Sequence, residues 1–474
     1  MLKRREVLGL LAAISAGPVA AFELVGQAQV REPWSKFRTG PNYKAFVGAI
    51  GKLKANRDAA NPNSWAFWAN IHQSMCPHGK PYFLAWHRGY LYLFEKKLRD
   101  LAKSETLRLP YWDYFGDPTV PVEFTKGNAG DNPLWEIRKG SSVVQALTLG
   151  AFDPSVKALD RSKPNSFESK IEATPHNNIH NLVGGKMATM QSPQDVLFWL
   201  HHANVDRMWA AWLAAGQGRT MPGPADAYWS GQLDYQTGLA VARKGTISTE
   251  ALGYRYADLT LPKAPPAPPP MPVVRSGAPR PPMVGAAPGG AMPPPPPPNM
   301  DSQTGGISLG EENVTVHVPL GGNAAPPPMV MSAAPGAGPP RGGASRPMPP
   351  PPPPADMLPV GISVVLDDVT LTGIGAQGGF FYNVYLNLPG ATNGNAGSRL
   401  VGTIGPFQIA AAAHHGGKAR IELPATDLVR QLAQGRSAAE LGALTVSFVR
   451  VNADGAPSGP VIGIGGFRVE GALP

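Results

Sequence analysis

Apolar positions recur at helical spacing through the first half of this chain and at every second residue in parts of the remainder. Trp65, Trp68 and His72 fall at i, i+3 and i+7, one face of a helix, and Ser64 stands where an N-cap is wanted. Leu91, Phe94 and Glu95 continue a helical spacing from His87, and residues 31–60 read as helical ahead of both. A shorter helix starts at Pro175, carries His176 and His180 on one face, and stops at Gly184–Gly185. Residues 115–165, rich in Gly, Pro, Asn and Ser, read as surface loop. Later the period becomes two. Val314, Val316 and Val318 alternate with Thr315 and His317, which turns His317 outward; Tyr382, Val384, Leu386 and Leu388 alternate in FFYNVYLNLP; a third strand runs near Val446 to Val451. The pattern predicts a multidomain chain, mainly α first and a small β-sandwich-like domain after it.

Composition places the boundary. Fifty-four prolines and 55 glycines in 474 residues are far above average usage, and the prolines concentrate in two tracts that cannot bury a core and read as extended spacer. The division is a leader at 1–21, a helical domain at 22–261, a proline-rich linker at 262–303, and a β domain at 304–474 with a proline-rich insertion at about 321–358. The leader, MLKRREVLGLLAAISAGPVAA, puts Arg4 and Arg5 before a short apolar run and small residues. It reads as a twin-arginine-like export signal that departs from the full consensus, so the protein is expected outside the cytoplasm, periplasmic or secreted. No later segment is long and apolar enough to span a bilayer, so stable membrane insertion is not expected. The net charge of +9 comes without a Lys/Arg run beyond Lys3–Arg5, which argues for a solvated surface and against nucleic acid. A single cysteine, Cys76, excludes an intrachain disulfide framework.

The chemistry sits in the histidines. Of ten, seven lie before residue 203 in two groups: His72, His78 and His87, then His176, His180 and the pair His201–His202. One histidine on an apolar helix face is ordinarily a packed residue, but two such groups point to metal, since neutral imidazole is the commonest metal ligand. Neighbours on a helix lie about 100° apart, so His201 and His202 are not expected to face one metal together. Imidazole-only donor sets suit copper better than magnesium or calcium.

The run H-x4-F-L-x-W-H-R-x2-L-x3-E from His78, and FWLHHANVD at 198–206, closely resemble the two signatures of the tyrosinase and polyphenol oxidase family. That resemblance implies a four-helix bundle holding two copper ions, one on His72, His78 and His87, the other on His176, His180 and His202, with His201 a packed neighbour. It implies a thioether between Cys76 and His78, as in fungal members. It makes Glu172 and Asn177 the pair that holds a water to take the phenol's proton, a helix-capping role being the competing reading. Asn204 and Asp206 become partners that orient imidazoles, Arg88 and Glu95 supporting charges, and Asp113 of PYWDY a non-catalytic support. Val196 stands where the family has proline after Asp195. The β domain resembles the C-terminal domain of plant-type members, which shields the site. An aromatic or aliphatic side chain of that domain is expected to be the plug, with Phe380 or Phe381 the candidate. The implied activity is O2-dependent oxidation of small o-diphenols to o-quinones, hydroxylation of monophenols and a copper-delivery partner being left open. An oxygen carrier of the haemocyanin kind is the alternative, and a zinc hydrolase a third reading.

Overall fold

The computed structural model describes residues 29–163, 165–236, 238–264, 306–317, 361–387, 399–414, 418–433 and 445–471. The leader, almost all of the linker, the insertion, Val318, Leu388 and His415 lie outside them. The chain divides into two compact units, Met1–Pro268 and Pro269–Pro474.

In the first unit, strand β1 (Gln29–Arg31) precedes helices α1 (Trp34–Phe37) and α2 (Tyr43–Ala55). The helical reading of 31–60 therefore holds from Trp34 to Ala55, with a break between the two helices. Helices α3 (Trp65–Met75) and α4 (Phe83–Ala102) follow. Ser64 occupies the N-cap of α3 in extended conformation, yet its hydroxyl makes no capping bond. Residues 115–165 are mostly irregular but not merely surface: Phe124, Leu134, Val143, Phe152 and Leu159 are all buried, wrapping the helices with apolar side chains.

The next helical run begins earlier than the proline signal predicts. It comprises α5 (Phe167–Ile171), a wider turn at Glu172–Asn177 and α6 (Asn178–Val183). Pro175, which has no N–H to donate, lies inside that turn, next to an extended Thr174 at φ −148° and ψ 133°. Ser166 caps α5, accepting from Ser169 N, and Gly184 at φ 67° ends α6. Helix α7 (Val196–Ala214) is capped by Asp195, which accepts from Leu197 N at 2.9 Å. Val196 is accommodated there as a buried first residue. Helix α7 is buried on all sides from Val196 to Trp209, as suits the central helix of a core. Trp199 stacks on Phe94 of α4 and lies against Trp65 and Trp68 of α3. Burial of each such side chain contributes roughly 2–3 kcal/mol. A hairpin of β2 (Gln232–Gln236) and β3 (Leu239–Ala242) follows, where Tyr235 donates to Trp86 O at 2.9 Å. Its hydroxyl sits where a Cβ of residue 89 would be, so Gly89 inside α4 is a packing requirement. Strand β4 (Tyr254–Tyr256) pairs parallel with β1 and closes the unit.

The second unit is rich in sheet. Strands β5 (Ile307–Leu309), β6 (Val314–His317), β7 (Ile362–Leu371), β8 (Phe380–Asn387) and β9 (Arg399–Ile404) are followed by α8 (Pro406–Ala413), β10 (Ala419–Pro424), α9 (Thr426–Ala433), β11 (Thr445–Asn452), β12 (Ile462–Ile464) and β13 (Gly466–Gly471). One sheet has the order β6-β11-β8-β9; the other is β10-β7-β12-β5, with β13 also on β7. Every pairing is antiparallel. Residues of both sheets, among them Val364, Leu366, Val384, Leu386, Val446 and Phe448, form one hydrophobic core. Phe380 belongs to that core and is lost as a candidate plug, its ring lying under Arg450. Phe381, one residue on, takes the opposite face of β8.

Candidate metal centre

Three elements converge on the first histidine cluster. Helix α3 supplies His72 from its last turn, α4 supplies His87 from its second, and the connection between them carries Cys76 and His78. One donor atom from each of the four lies within 4.8 Å of the others. His72 donates from Nδ1 to Met190 O at 2.8 Å, and His87 from Nδ1 to Phe83 O at 2.8 Å. A carbonyl can only accept, so each bond fixes the proton on Nδ1 and leaves Nε2 as a lone pair. Cys76 Sγ is 3.6 Å from His78 Nε2 and 3.4 Å from His87 Nε2.

The second cluster is built alike. The run Phe167–Val183 presents His176 and His180, and α7 presents His201 and His202, again with donor atoms within 4.8 Å. His180 Nδ1 donates to Met187 O at 2.7 Å and His176 Nδ1 to Asn177 Oδ1 at 2.9 Å. The Nε2 atoms of both approach His202 Nε2, at 3.2 and 3.3 Å. Lone pairs gathered that closely repel unless a proton or a cation stands among them, which is what a metal would supply. His201 is nearer than the 100° argument implies. It stacks on His176 with ring centroids 5.2 Å apart, and its donor atom belongs to the same group of four. His202 is the one of the pair that meets the first cluster, its ring stacked on His87 at 4.2 Å.

Burial keeps six of these rings neutral. It drives His78, His87, His180, His201 and His202 well below the ordinary histidine range, helped by the neighbouring rings, and brings His176 to about 3. Burial also pushes the Cys76 thiol well up, and Glu172 adds to it. Two compact imidazole clusters, the first with the Cys76 thiol among them, suit two copper ions, and no carboxylate stands within either set to favour magnesium or calcium.

The surrounding charges are placed differently from expectation. Asp206 does not turn to an imidazole. It accepts from Arg88 Nε, Tyr254 Oη and Tyr256 Oη, each at 2.6 Å. Asn204 accepts from Arg207 Nε at 2.7 Å. Glu95 accepts from Arg31 Nε at 2.8 Å, so Arg88 and Glu95 do serve as buried supporting charges, joining β1, α4, α7 and β4. Asp113 lies 3.7 Å from Arg207, in line with a supporting place. Glu172 accepts from Gly79 N at 2.7 Å through Oε1 and pairs with Arg161 through Oε2, while burial raises its pKa. Asn177 sits beside His176, as its bond to that ring shows. The imidazole-orienting groups that sequence reasoning missed are Phe83 O, Met187 O and Met190 O. A main-chain carbonyl carries no side-chain signal by which to find it.

The common central domain of tyrosinase matches residues 62–156 and 136–215, which hold both clusters. The tyrosinase of Streptomyces glaucescens is 33% identical over 218 residues, covering 37% of this chain and 79% of that protein. The chain belongs to the tyrosinase family. Tyrosinase HcTyr1 of a Hahella strain is 29% identical over 281 residues, 44% of this chain and 59% of that relative, less than two thirds of its length. Latent apple tyrosinase has the same overall fold at a TM-score of 0.52 and 18% identity, over 94% of this chain and 98% of that one. A helical core followed by a sheet-rich region is thus shared with a plant tyrosinase. Among the described residues of this tyrosinase-family chain, no helix is long and apolar enough to cross a membrane.

Proposed function

We propose that the protein is a copper-dependent phenol oxidase that uses O2 to convert o-diphenols to o-quinones, with hydroxylation of monophenols as a second activity to be assayed. The observation that carries this reading is the contact of two neutral, buried imidazole clusters through the His87–His202 stack at 4.2 Å. Metals held by the two clusters would be close enough to act on one small molecule. In this reading α3, α4, the run Phe167–Val183 and α7 form the four-helix bundle, and His72, His78, His87, His176, His180 and His202 are the six ligands.

When bound, the copper pair supplies the two-electron redox chemistry with O2. The protein's own part is to aim, to exclude water and to handle protons. Main-chain acceptors hold three of the rings, His72, His87 and His180, with Nε2 inward, so those three need not reorient when metal enters. Phe83 and Phe198 pack against the rings and keep the site dry. Asn177 and Glu172 together hold the water that receives the phenol's proton, with Arg161 retaining charge balance at Glu172. Cys76 Sγ lies within reach of both rings, 3.6 Å from His78 Nε2 and 3.4 Å from His87 Nε2, and we assign to it a thioether to a carbon of His78, two residues on. Its formation releases two hydrogens, for which O2 is the oxidant, and it would fasten the one ligand of the first cluster that no helix holds. The leader makes the protein an exported one.

Metal analysis of purified protein, with O2 uptake on one monophenol and one o-diphenol, tests the reading. Two coppers per chain and diphenol-dependent O2 uptake are expected. Zinc in place of copper, or reversible O2 binding without turnover of either phenol, would overturn it.

A further inference from the structure

The run that supplies the second cluster also grips the loop that supplies the first. Glu168, Glu172, His176 and His180 recur at a spacing of four, so two carboxylates precede two ligands along one run. Glu172 accepts from Gly79 N, next to His78, while Glu168 Oε1 accepts from Leu84 N at 3.1 Å. These two N–H groups bracket a short segment that includes Tyr82, a non-glycine residue at φ 74°. Left-handed backbone is costly for a tyrosine, so the surroundings must hold it. Arg243 stacks over the Tyr82 ring at 3.8 Å, and Tyr228 lies against it.

The contact at Leu84 reaches further than a helix cap. Leu84 N and Phe83 O belong to the same peptide group. One side of that group is held by Glu168; the other accepts from His87 Nδ1 at 2.8 Å. A hydrogen bond on the N–H side polarises the amide and makes its oxygen a better acceptor, which in turn makes the imidazole a better metal donor. Glu168 is fully buried, and its other oxygen, Oε2, has no hydrogen-bond partner among the described residues.

We propose that Glu168 is a positioning residue for the first metal of the pair, acting through the Phe83–Leu84 peptide on His87 and fastening the loop that bears His78. The inference rests on the dicopper reading above. Its test is the loss of copper from the full-length holoprotein into an excess of a copper chelator, followed as copper remaining per chain. In Glu168→Leu one of the two coppers should leave about 10–100-fold faster than in wild type, the usual penalty for losing such a partner. The other should leave at the wild-type rate. Glu168→Gln, which keeps an acceptor oxygen for Leu84 N, should stay within about threefold of wild type. If Glu168→Leu does not fold, Glu168→Asp takes its place, since it keeps the charge but falls one methylene short of Leu84. Wild-type loss rates for both coppers in a folded Leu or Asp variant would overturn the proposal. So would a Gln variant as leaky as Leu, because acceptance from Leu84 N would then not be the cause. A protein that takes up no copper at all would instead remove the dicopper reading itself.

Discussion

Removing the carboxylate of Asp206 should destabilise the first unit more than removing any one exposed charge. Asp206 is 3% exposed, Arg88 1% and Arg31 0%, and Asp206 accepts from Arg88 and both tyrosines at 2.6 Å while lying 3.6 Å from Arg31. In Asp206→Ala the Arg88 guanidinium stays buried over the Trp209 ring, 3.5 Å from its centroid, without its anion. Breaking a buried pair in this one-sided way costs roughly 3–5 kcal/mol. For a unit of this size that corresponds to a fall in Tm of roughly 6–20 °C. The measurement is a thermal melt of the copper-free protein, so that metal loss does not contribute, read by near-ultraviolet circular dichroism. A double variant, Arg88→Met with Asp206→Leu, should recover part of the loss because no unpaired charge is left. The two tyrosine hydroxyls still lack an acceptor there, at about 1 kcal/mol or more each. A fall of less than about 3 °C in Asp206→Ala would refute the view that this carboxylate ties α4 to α7.

Four shorter predictions accompany it. His202→Ala should cost one copper and all phenol oxidation, whereas His201→Ala should keep copper; inductively coupled plasma analysis decides, and the reverse pattern would exchange the two assignments. A tryptic peptide containing Cys76 and His78 from active protein should weigh two hydrogens less than its sequence and resist alkylation; a fully alkylated Cys76 refutes the thioether. Burial first, then Glu172 and Asp160, raise Glu168 to about 7, against the lowering pull of Arg161 and of Leu84 N. Because the folded value lies above the unfolded one, the stability gained from its proton is complete below about 4.5 and is lost as pH rises through about 7. The stability difference between wild type and Glu168→Gln should fall by roughly 3 kcal/mol over that window, and a flat difference would refute it. Finally, cutting the proline-rich linker between Pro262 and Met300 should raise diphenol oxidation severalfold if the sheet unit restrains the enzyme; equal activity per copper before and after cutting would exclude restraint.

What the sequence made legible was whatever side-chain identity and short-range spacing carry. Trp65, Trp68 and His72, or His87 through Glu95, need only one helix to bring their chemistry together, so the period of 3.6 is enough. The strands around Val384 and Phe448 declare themselves through alternation. Contacts across long stretches of chain were not legible. The resemblance made Asp206 a partner of imidazoles, but its hydroxyl partners lie 48 and 50 residues on, in a strand that pairs with residues 29–31. Pro175 misplaced the start of its helix because a proline at N1 and a proline after an internal break give the same local signal. The buried cladding in residues 115–165 was hidden by a composition that resembles open loop.

Met187 and Met190 stand on the short connection between α6 and α7, and their carbonyls fix His180 in one cluster and His72 in the other. Four residues of chain therefore act as a gauge block between the two histidine clusters. Connections that run over the surface usually absorb insertions at little cost, but this one is largely buried. Here one added residue would displace an acceptor from one ring or the other, and the error would be divided between both halves of the centre. Length, more than identity, is what this segment has to keep.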